Sequence, residues 1–236
     1  MFNPNEAKRY SKQTILDEVG LLGQAKLKNA RVVVIGAGGL GCPIIQYLAS
    51  CGVGTIGIVD FDVIEHSNLH RQILYTPQDV GRKKADVAKV KALAQNPDTV
   101  IEIFDSALNT DNAEFILSQF DLVIDGCDNF LTRYTVNDVC VELNRPLIYG
   151  SILGFQGQLA VFNVNGSKNL RDLFPEPPNA EDVPNCSDNG VLGVVPGVIG
   201  TLMANEALKC ILGLEINLNT FHVFDLLSLE MTKLRY

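Results

Sequence analysis

No Cys-x-x-Cys pair occurs anywhere in the 236 residues. Structural zinc sites usually show such pairs, so no zinc is expected. The six cysteines, Cys42, Cys51, Cys127, Cys140, Cys186 and Cys210, are scattered. A disulfide framework does not suit a chain this long with no export signal. Apart from Cys186 they read as reduced, buried small hydrophobes of a cytoplasmic protein. No N-terminal segment joins a basic head to an apolar stretch, so no signal peptide is expected. No uninterrupted apolar run reaches the roughly 18 residues of a membrane span. Basic residues are also short: 19 Lys and Arg against 27 Asp and Glu give a net charge of -8. That argues against a general nucleic-acid binder, which needs a basic surface, but leaves room for a pocket holding one nucleotide. The three histidines, His66, His70 and His222, form no Ser/His or His/Asp constellation and read as surface or loop residues. Internal repeats and low-complexity tracts are absent.

What is present is a globular composition, with 47% hydrophobic and 19% charged residues. Residues 1–29 read as a helical segment. Residues 30–155 alternate short apolar strands with helices. The strands are Arg31–Ile35, 54–59, Val100–Phe104, 122–124 and 147–149; the helices fall near 43–50, 83–95, 113–119 and 132–143. This alternation implies an α/β fold: a Rossmann-like, mostly parallel sheet with helices on both faces. The last part, 156–236, differs. Residues 157–164 alternate like a half-exposed strand, 165–190 read as a long loop, and 198–212 as a helix. Residues 220–227 and 229–236 read as a closing antiparallel hairpin. The whole chain reads as a single domain with this C-terminal extension.

The first strand runs straight into Gly36-Ala-Gly-Gly-Leu-Gly41 and a helix follows. Gly36, Gly38 and Gly41 match G-x-G-x-x-G in the strand-to-helix setting it requires, with Gly39 inside the loop. Glycine permits the tight turn and lets a phosphate approach the backbone at the helix N-terminus. The plainer reading is glycine for close helix–sheet packing. Asp60 ends the second strand, 24 residues after Gly36, where its carboxylate can accept hydrogen bonds from ribose hydroxyls. An NAD-dependent oxidoreductase explains these features equally well. The next residues favour a triphosphate, because charge building on a leaving pyrophosphate calls for fixed cations. Arg71 offers a planar fork and Lys84 a point charge; for Arg82, Lys83 and Lys84 together the plainer reading is a solvated helix start. Asp125-Gly-Cys-Asp128-Asn129 follows an apolar strand. There an Asp is suited either to Mg²⁺ bridging phosphate oxygens or to capping the next helix, with Thr132 an alternative cap.

Six blocks occur in order: Arg9-Tyr-Ser-Lys-Gln13, Gly36–Gly41, Asp60-Phe-Asp62, Ser67-Asn-Leu-His-Arg-Gln72, Gly81–Lys84 and Asp125–Asn129. Together they resemble the ThiF/MoeB/HesA family, relatives of ubiquitin-activating enzymes, from about residue 8 onward. The resemblance implies adenylylation by Mg-ATP of the terminal Gly-Gly carboxylate of a ubiquitin-like sulfur-carrier protein similar to ThiS or MoaD. It assigns the nucleotide to Gly36, Gly38, Gly39 and Gly41 and the ribose to Asp60, with Asp62 and Asn129 alongside. Asn68, Arg71, Gln72 and Lys84 contact phosphates, and Asp128 holds Mg²⁺. It also implies a homodimer in which an N-terminal basic residue reaches the partner's ATP: Lys12 here, where arginine is common, or Arg9 nearby. Many members hold zinc with two Cys-x-x-Cys pairs that this chain lacks. Cys186, in the polar loop, is open to two readings, sulfur transfer or an incidental role. Followed by Gly190-Val-Leu-Gly193 it resembles ThiF, which favours thiamine over molybdopterin biosynthesis as the pathway.

The implied chemistry needs no general base. A free α-carboxyl has a pKa near ~3.5 and is ionised at pH 7. Catalysis then rests on position and charge, from Mg²⁺, Arg71, Lys84 and Lys12. With no rhodanese domain in sight, any sulfur donor is expected to be a separate protein. A non-catalytic partner subunit is the remaining alternative, against which Arg71, Lys84 and Asp128 are all retained.

Overall fold

Val32, Val33 and Val34 are wholly buried at the centre of an eight-stranded sheet in the computed structural model, which describes residues 2–178 and 190–236. The strands are β1 (Arg31–Ile35), β2 (Thr55–Val59), β3 (Val100–Phe104), β4 (Leu122–Asp125), β5 (Leu147–Leu153), β6 (Gln156–Phe162), β7 (Thr220–Asp225) and β8 (Glu230–Arg235). Their order is β3-β2-β1-β4-β5-β6-β7-β8. The pairings from β3 to β5 are parallel and those from β5 to β8 antiparallel, as the alternation and the closing hairpin predict.

The helices are α1 (Pro4–Arg9), α2 (Ser11–Thr14), α3 (Gly20–Asn29), α4 (Gly41–Cys51), α5 (Lys84–Gln95), α6 (Ala113–Leu117), α7 (Phe130–Glu142), α8 (Leu170–Leu173) and α9 (Val194–Leu212). Alternation along β1 sends Val32 and Val34 to one face and Val33 to the other. The first face packs with Ile44, Leu48, Val87, Ala88, Ile199 and Met203 from α4, α5 and α9. The second packs with Ile116, Leu117, Tyr134 and Val136 from α6 and α7. Each buried valine contributes about 1.5–3 kcal/mol relative to exposure, so the two helical layers hold the sheet.

Three expectations change, and a short helix, α8, also interrupts the loop expected over 165–190. The helical segment before residue 30 is broken into three helices. β6 is not half-exposed: Leu159, Ala160, Val161 and Phe162 are all buried, because α9 covers one face and the Tyr149–Phe162–Phe221 aromatic cluster the other. His222 is neither a surface nor a loop residue but lies buried in β7. Among the described residues α9 is the one helix long and apolar enough, by length and composition, to cross a bilayer. In the fold it lies against β5, β6 and α4.

Candidate active site

The C-terminal ends of β1, β2 and β4 meet where the strand order runs from β1 to β2 on one side and to β4 on the other. Open α/β sheets bind ligands in the crevice at such a switch point. Gly36 leaves β1 with φ +89°, a left-handed conformation that glycine adopts at little cost. Its N–H donates to Val59 O at 2.9 Å, and Gly126 N–H donates to Ile35 O at 2.9 Å, so the loop is stitched to the ends of β2 and β4. At Gly41 a Cβ would run into the Gly36 carbonyl, which restricts that position to glycine. Gly39 lies against Pro196 of α9. Among the described residues the N–H groups of Gly38, Gly39 and Leu40 meet no acceptor. They sit at the start of α4, whose positive dipole end adds to them, and together they suit a phosphate.

Ala37 is held on both sides. Its N–H donates to Asp60 Oδ2 at 2.7 Å, and its carbonyl accepts from the Tyr75 hydroxyl at 2.7 Å. Asp60 Oδ1 accepts from Asp62 N–H at 2.9 Å. Burial pushes the Asp60 carboxyl above its usual range, and the Ala37 N–H works against that rise. A carboxylate has about four lone-pair sites, so Asp60 keeps capacity for ribose hydroxyls while it anchors the loop.

Asn68 is buried, and its Oδ1 accepts from Glu65 N–H at 3.1 Å, fixing the turn that leads to Arg71. Gln72 is buried with its amide beside Gly38, and its Oε1 has no hydrogen-bond partner. A buried acceptor without a partner is costly, and a bound ligand is one way to satisfy it. Arg71 Nη1 donates to Ser67 O at 3.0 Å, and the side chain pairs with no carboxylate among the described residues. The solvated-helix reading holds for two of the three basic residues that follow. Arg82 pairs with Asp79 at 2.9 Å and Lys83 with Asp105 at 3.1 Å. Lys84 is instead buried, with Nζ donating to Asp62 Oδ2 at 2.8 Å.

The two aspartates after β4 have different surroundings. Asp125 is wholly buried, accepts from Cys127 N–H at 3.0 Å and pairs with Arg133 at 3.3 Å. The helix cap is neither Asp128 nor Thr132: Asn129 Oδ1 accepts from Thr132 N–H at 2.9 Å. Asn129, expected beside the nucleotide, thus uses its side-chain oxygen to cap α7. Asp128 is exposed and makes no hydrogen bond or ion pair among the described residues. Mg²⁺ takes one or two carboxylates and completes its shell with phosphates and water, so a free Asp128 at the crevice fits it.

Lys12 does not join the site of its own chain. Gln13 Nε2 donates to Cys51 O at 3.1 Å, which pins α2 to the end of α4 away from the glycine loop. Eleven helical residues span about 16 Å. Lys12 is exposed, whereas Arg9 Nη1 donates to Gln95 O at 2.9 Å. Cys186 lies outside the described residues.

Two residues at the site carry no sequence signal of a motif. Tyr75 ends an apolar pair in a loop, and only its hydroxyl's partners give it meaning. Arg133 reads as an ordinary helical cation, yet it is buried and donates to Cys127 O at 3.0 Å and Gly150 O at 3.1 Å, bracing the Asp128 loop.

The family model described as "ThiF family" matches residues 10–236. A sulfur carrier protein adenylyltransferase of Thermus thermophilus is 51% identical over 214 residues, covering 89% of this chain and 79% of that protein. An adenylyltransferase and sulfurtransferase MOCS3 of Culex quinquefasciatus is 51% identical over 211 residues, 89% of this chain. The chain spans about half the length of that relative, 48%. Among solved structures, E. coli MccB with MccA-N7isoASN superposes with a TM-score of 0.86 at 24% identity, over 99% of this chain and 72% of that one. This likeness is one of fold.

Proposed function

The chain belongs to the ThiF family, and on that premise we propose that it is an adenylyltransferase using Mg-ATP on the C-terminal Gly-Gly carboxylate of a ubiquitin-like sulfur-carrier protein. One observation carries this reading. Among the described residues the N–H groups of Gly38, Gly39 and Leu40, at the start of α4, meet no acceptor, and Asp128, just past the end of β4, makes no hydrogen bond or ion pair. The first feature suits phosphate oxygens, and the second suits the metal that accompanies them.

The carrier carboxylate attacks the α-phosphorus. A new P–O bond forms to the carboxylate, the bond to the β-phosphate oxygen breaks, and pyrophosphate leaves with the electron pair. The carboxylate is already ionised, so no proton has to be removed. Asp60 accepts from the ribose hydroxyls. The loop N–H groups and the Gln72 amide nitrogen donate to phosphate oxygens. Arg71 and Lys84 stabilise the charge that gathers on pyrophosphate. Bound at Asp128, Mg²⁺ supplies further neutralisation of the phosphate oxygens.

A homodimer belongs to the same proposal. Lys12 is exposed, without an ion pair among the described residues and too far from its own glycine loop, which supports a role at a second copy's site. Exposed Tyr47, Ile73, Val194 and Val198 line an apolar groove of about 620 Å³ between α4 and α9, which supports a buried face there. The carrier is of the thiamine or the molybdopterin type.

The test is ATP–pyrophosphate exchange with ThiS-like and MoaD-like carriers, each intact and without the terminal Gly-Gly. Exchange that requires the intact tail supports the proposal, and the preferred carrier names the pathway. Folded protein that binds ATP but exchanges with neither carrier overturns it. Reduction of a nicotinamide cofactor in place of ATP turnover would restore the oxidoreductase alternative.

A further inference from the structure

A trans peptide sends its C=O and N–H in opposite directions. Whatever holds the Ala37 carbonyl therefore also aims the Gly38 N–H. That holder is Tyr75, a buried residue whose hydroxyl donates to Ala37 O at 2.7 Å. The same hydroxyl lies 3.3 Å from Lys84 O, in a three-centre arrangement at the first residue of α5. Burial pushes the phenol's pKa far up, so the proton that makes these bonds stays in place at any working pH. Cys42 Sγ, 3.6 Å from Ala37 O, is a second and weaker donor. The preceding peptide is fixed separately, by Asp60 on the Ala37 N–H. Two adjacent peptides are thus oriented by two side chains from different segments, and only the second of them leaves its N–H without an acceptor among the described residues.

We propose that Tyr75 is the positioning residue of the nucleotide loop: it turns the Gly38 N–H toward the triphosphate and ties that peptide to the backbone carrying Lys84. The inference rests on the nucleotide reading above. It predicts a selective effect. Tyr75 acts on groups that meet phosphate, not on those that meet the nucleoside. Removing its hydroxyl leaves the Ala37 carbonyl with the weak thiol donor and lets the peptide rotate.

The experiment compares Tyr75→Phe with Tyr10→Phe in the full chain. Tyr10 is also buried, and its hydroxyl accepts from Asn96 Nδ2 at 2.8 Å, near the other end of α4. Binding of ATP and of adenosine is measured by calorimetry, without carrier, alongside thermal unfolding. Both variants are expected to lose similar thermal stability. Tyr75→Phe is expected to weaken ATP about tenfold, a typical factor for one lost buried hydrogen bond, and adenosine less than twofold. Tyr10→Phe is expected to change neither. Unchanged ATP binding in Tyr75→Phe, or equal losses for ATP and adenosine, overturns the proposal while leaving the adenylyltransferase reading intact. Wild-type protein that binds no ATP overturns both.

Discussion

Lys84 Nζ donates to Asp62 Oδ2 at 2.8 Å, and the two partners differ in exposure: the lysine side chain is 8% exposed and the aspartate 50%. The carboxylate stays largely hydrated while it holds the ammonium under the loop. A triphosphate competes for that ammonium with more charge than Asp62 carries. Lys84→Met, which keeps the apolar stem, is expected to reduce pyrophosphate exchange at least ~100-fold. Asp62→Asn is expected to cost less than about tenfold. Exchange kinetics of the two variants check the ranking; Asp62→Asn as damaging as Lys84→Met would show that the aspartate is needed for more than holding the lysine.

Asp128 is exposed and makes no hydrogen bond or ion pair among the described residues, so its substitution separates activity from stability. Asp128→Asn is expected to leave unfolding free energy within about 0.5 kcal/mol of wild type. Exchange is expected to fall about 100-fold and to need more Mg²⁺. Urea unfolding and a Mg²⁺ titration of the exchange rate supply the measurements. A variant as active as wild type at low Mg²⁺ removes Asp128 from the metal.

Asp125 and Arg133 behave in the opposite way. Both are buried, and Arg133 also donates to Tyr149 Oη at 3.2 Å. Removing one partner strands a buried charge, which typically costs about 3–5 kcal/mol. Arg133→Met is expected to fall in that range by urea unfolding. The double variant Asp125→Asn, Arg133→Met should lose clearly less than the sum of the singles. Strict additivity would mean that the pair does not act as a unit.

Asp79 governs part of the acid limb of stability. Its oxygens accept from the Thr76 hydroxyl at 2.7 Å, Thr76 N–H at 3.0 Å and Arg82 at 2.9 Å. The Thr76 hydroxyl, first among these, holds the carboxyl below the usual 3.8. A depressed carboxyl binds fewer protons in the folded than in the unfolded chain. Its stabilisation is therefore complete above the unfolded pKa and disappears as pH falls through the folded one. Asp79→Asn is expected to cost about 1–3 kcal/mol at pH 7. It should flatten the decline between roughly pH 5 and pH 2. Chemical unfolding across that range decides; parallel curves for the two proteins would count against it.

The parallel half of the fold was legible because its strands are short apolar runs between helices. The glycine loop was legible because Gly36 and Gly41 answer to local backbone geometry. Other features depend on what lies across the sheet. Leu159 and Val161 alternate with Gln158 and Ala160, a half-exposed pattern until α9 and the aromatic cluster cover both faces. His222 carries no local signal of burial, yet it lies in β7 between β6 and β8 with its ring stacked on Phe224. Asp128 and Asn129 are neighbours, and one residue of register decides which caps α7 and which stays free. Tyr75 and Arg133 act through backbone carbonyls distant in sequence, and no spacing rule marks such partners.

The position of the crevice between β1 and β4 also bears on how the chain reaches its native state. β5 pairs with β6, and β7 with β8, across short turns, whereas Val32 must find Leu122. Pairings between segments so far apart carry the largest loop-closure cost and form slowly. A chain with both hairpins formed but the β1–β4 pairing missing has no crevice at all. Nucleotide binding therefore requires this nonlocal pairing, and its appearance during refolding reports that pairing rather than the first compact state.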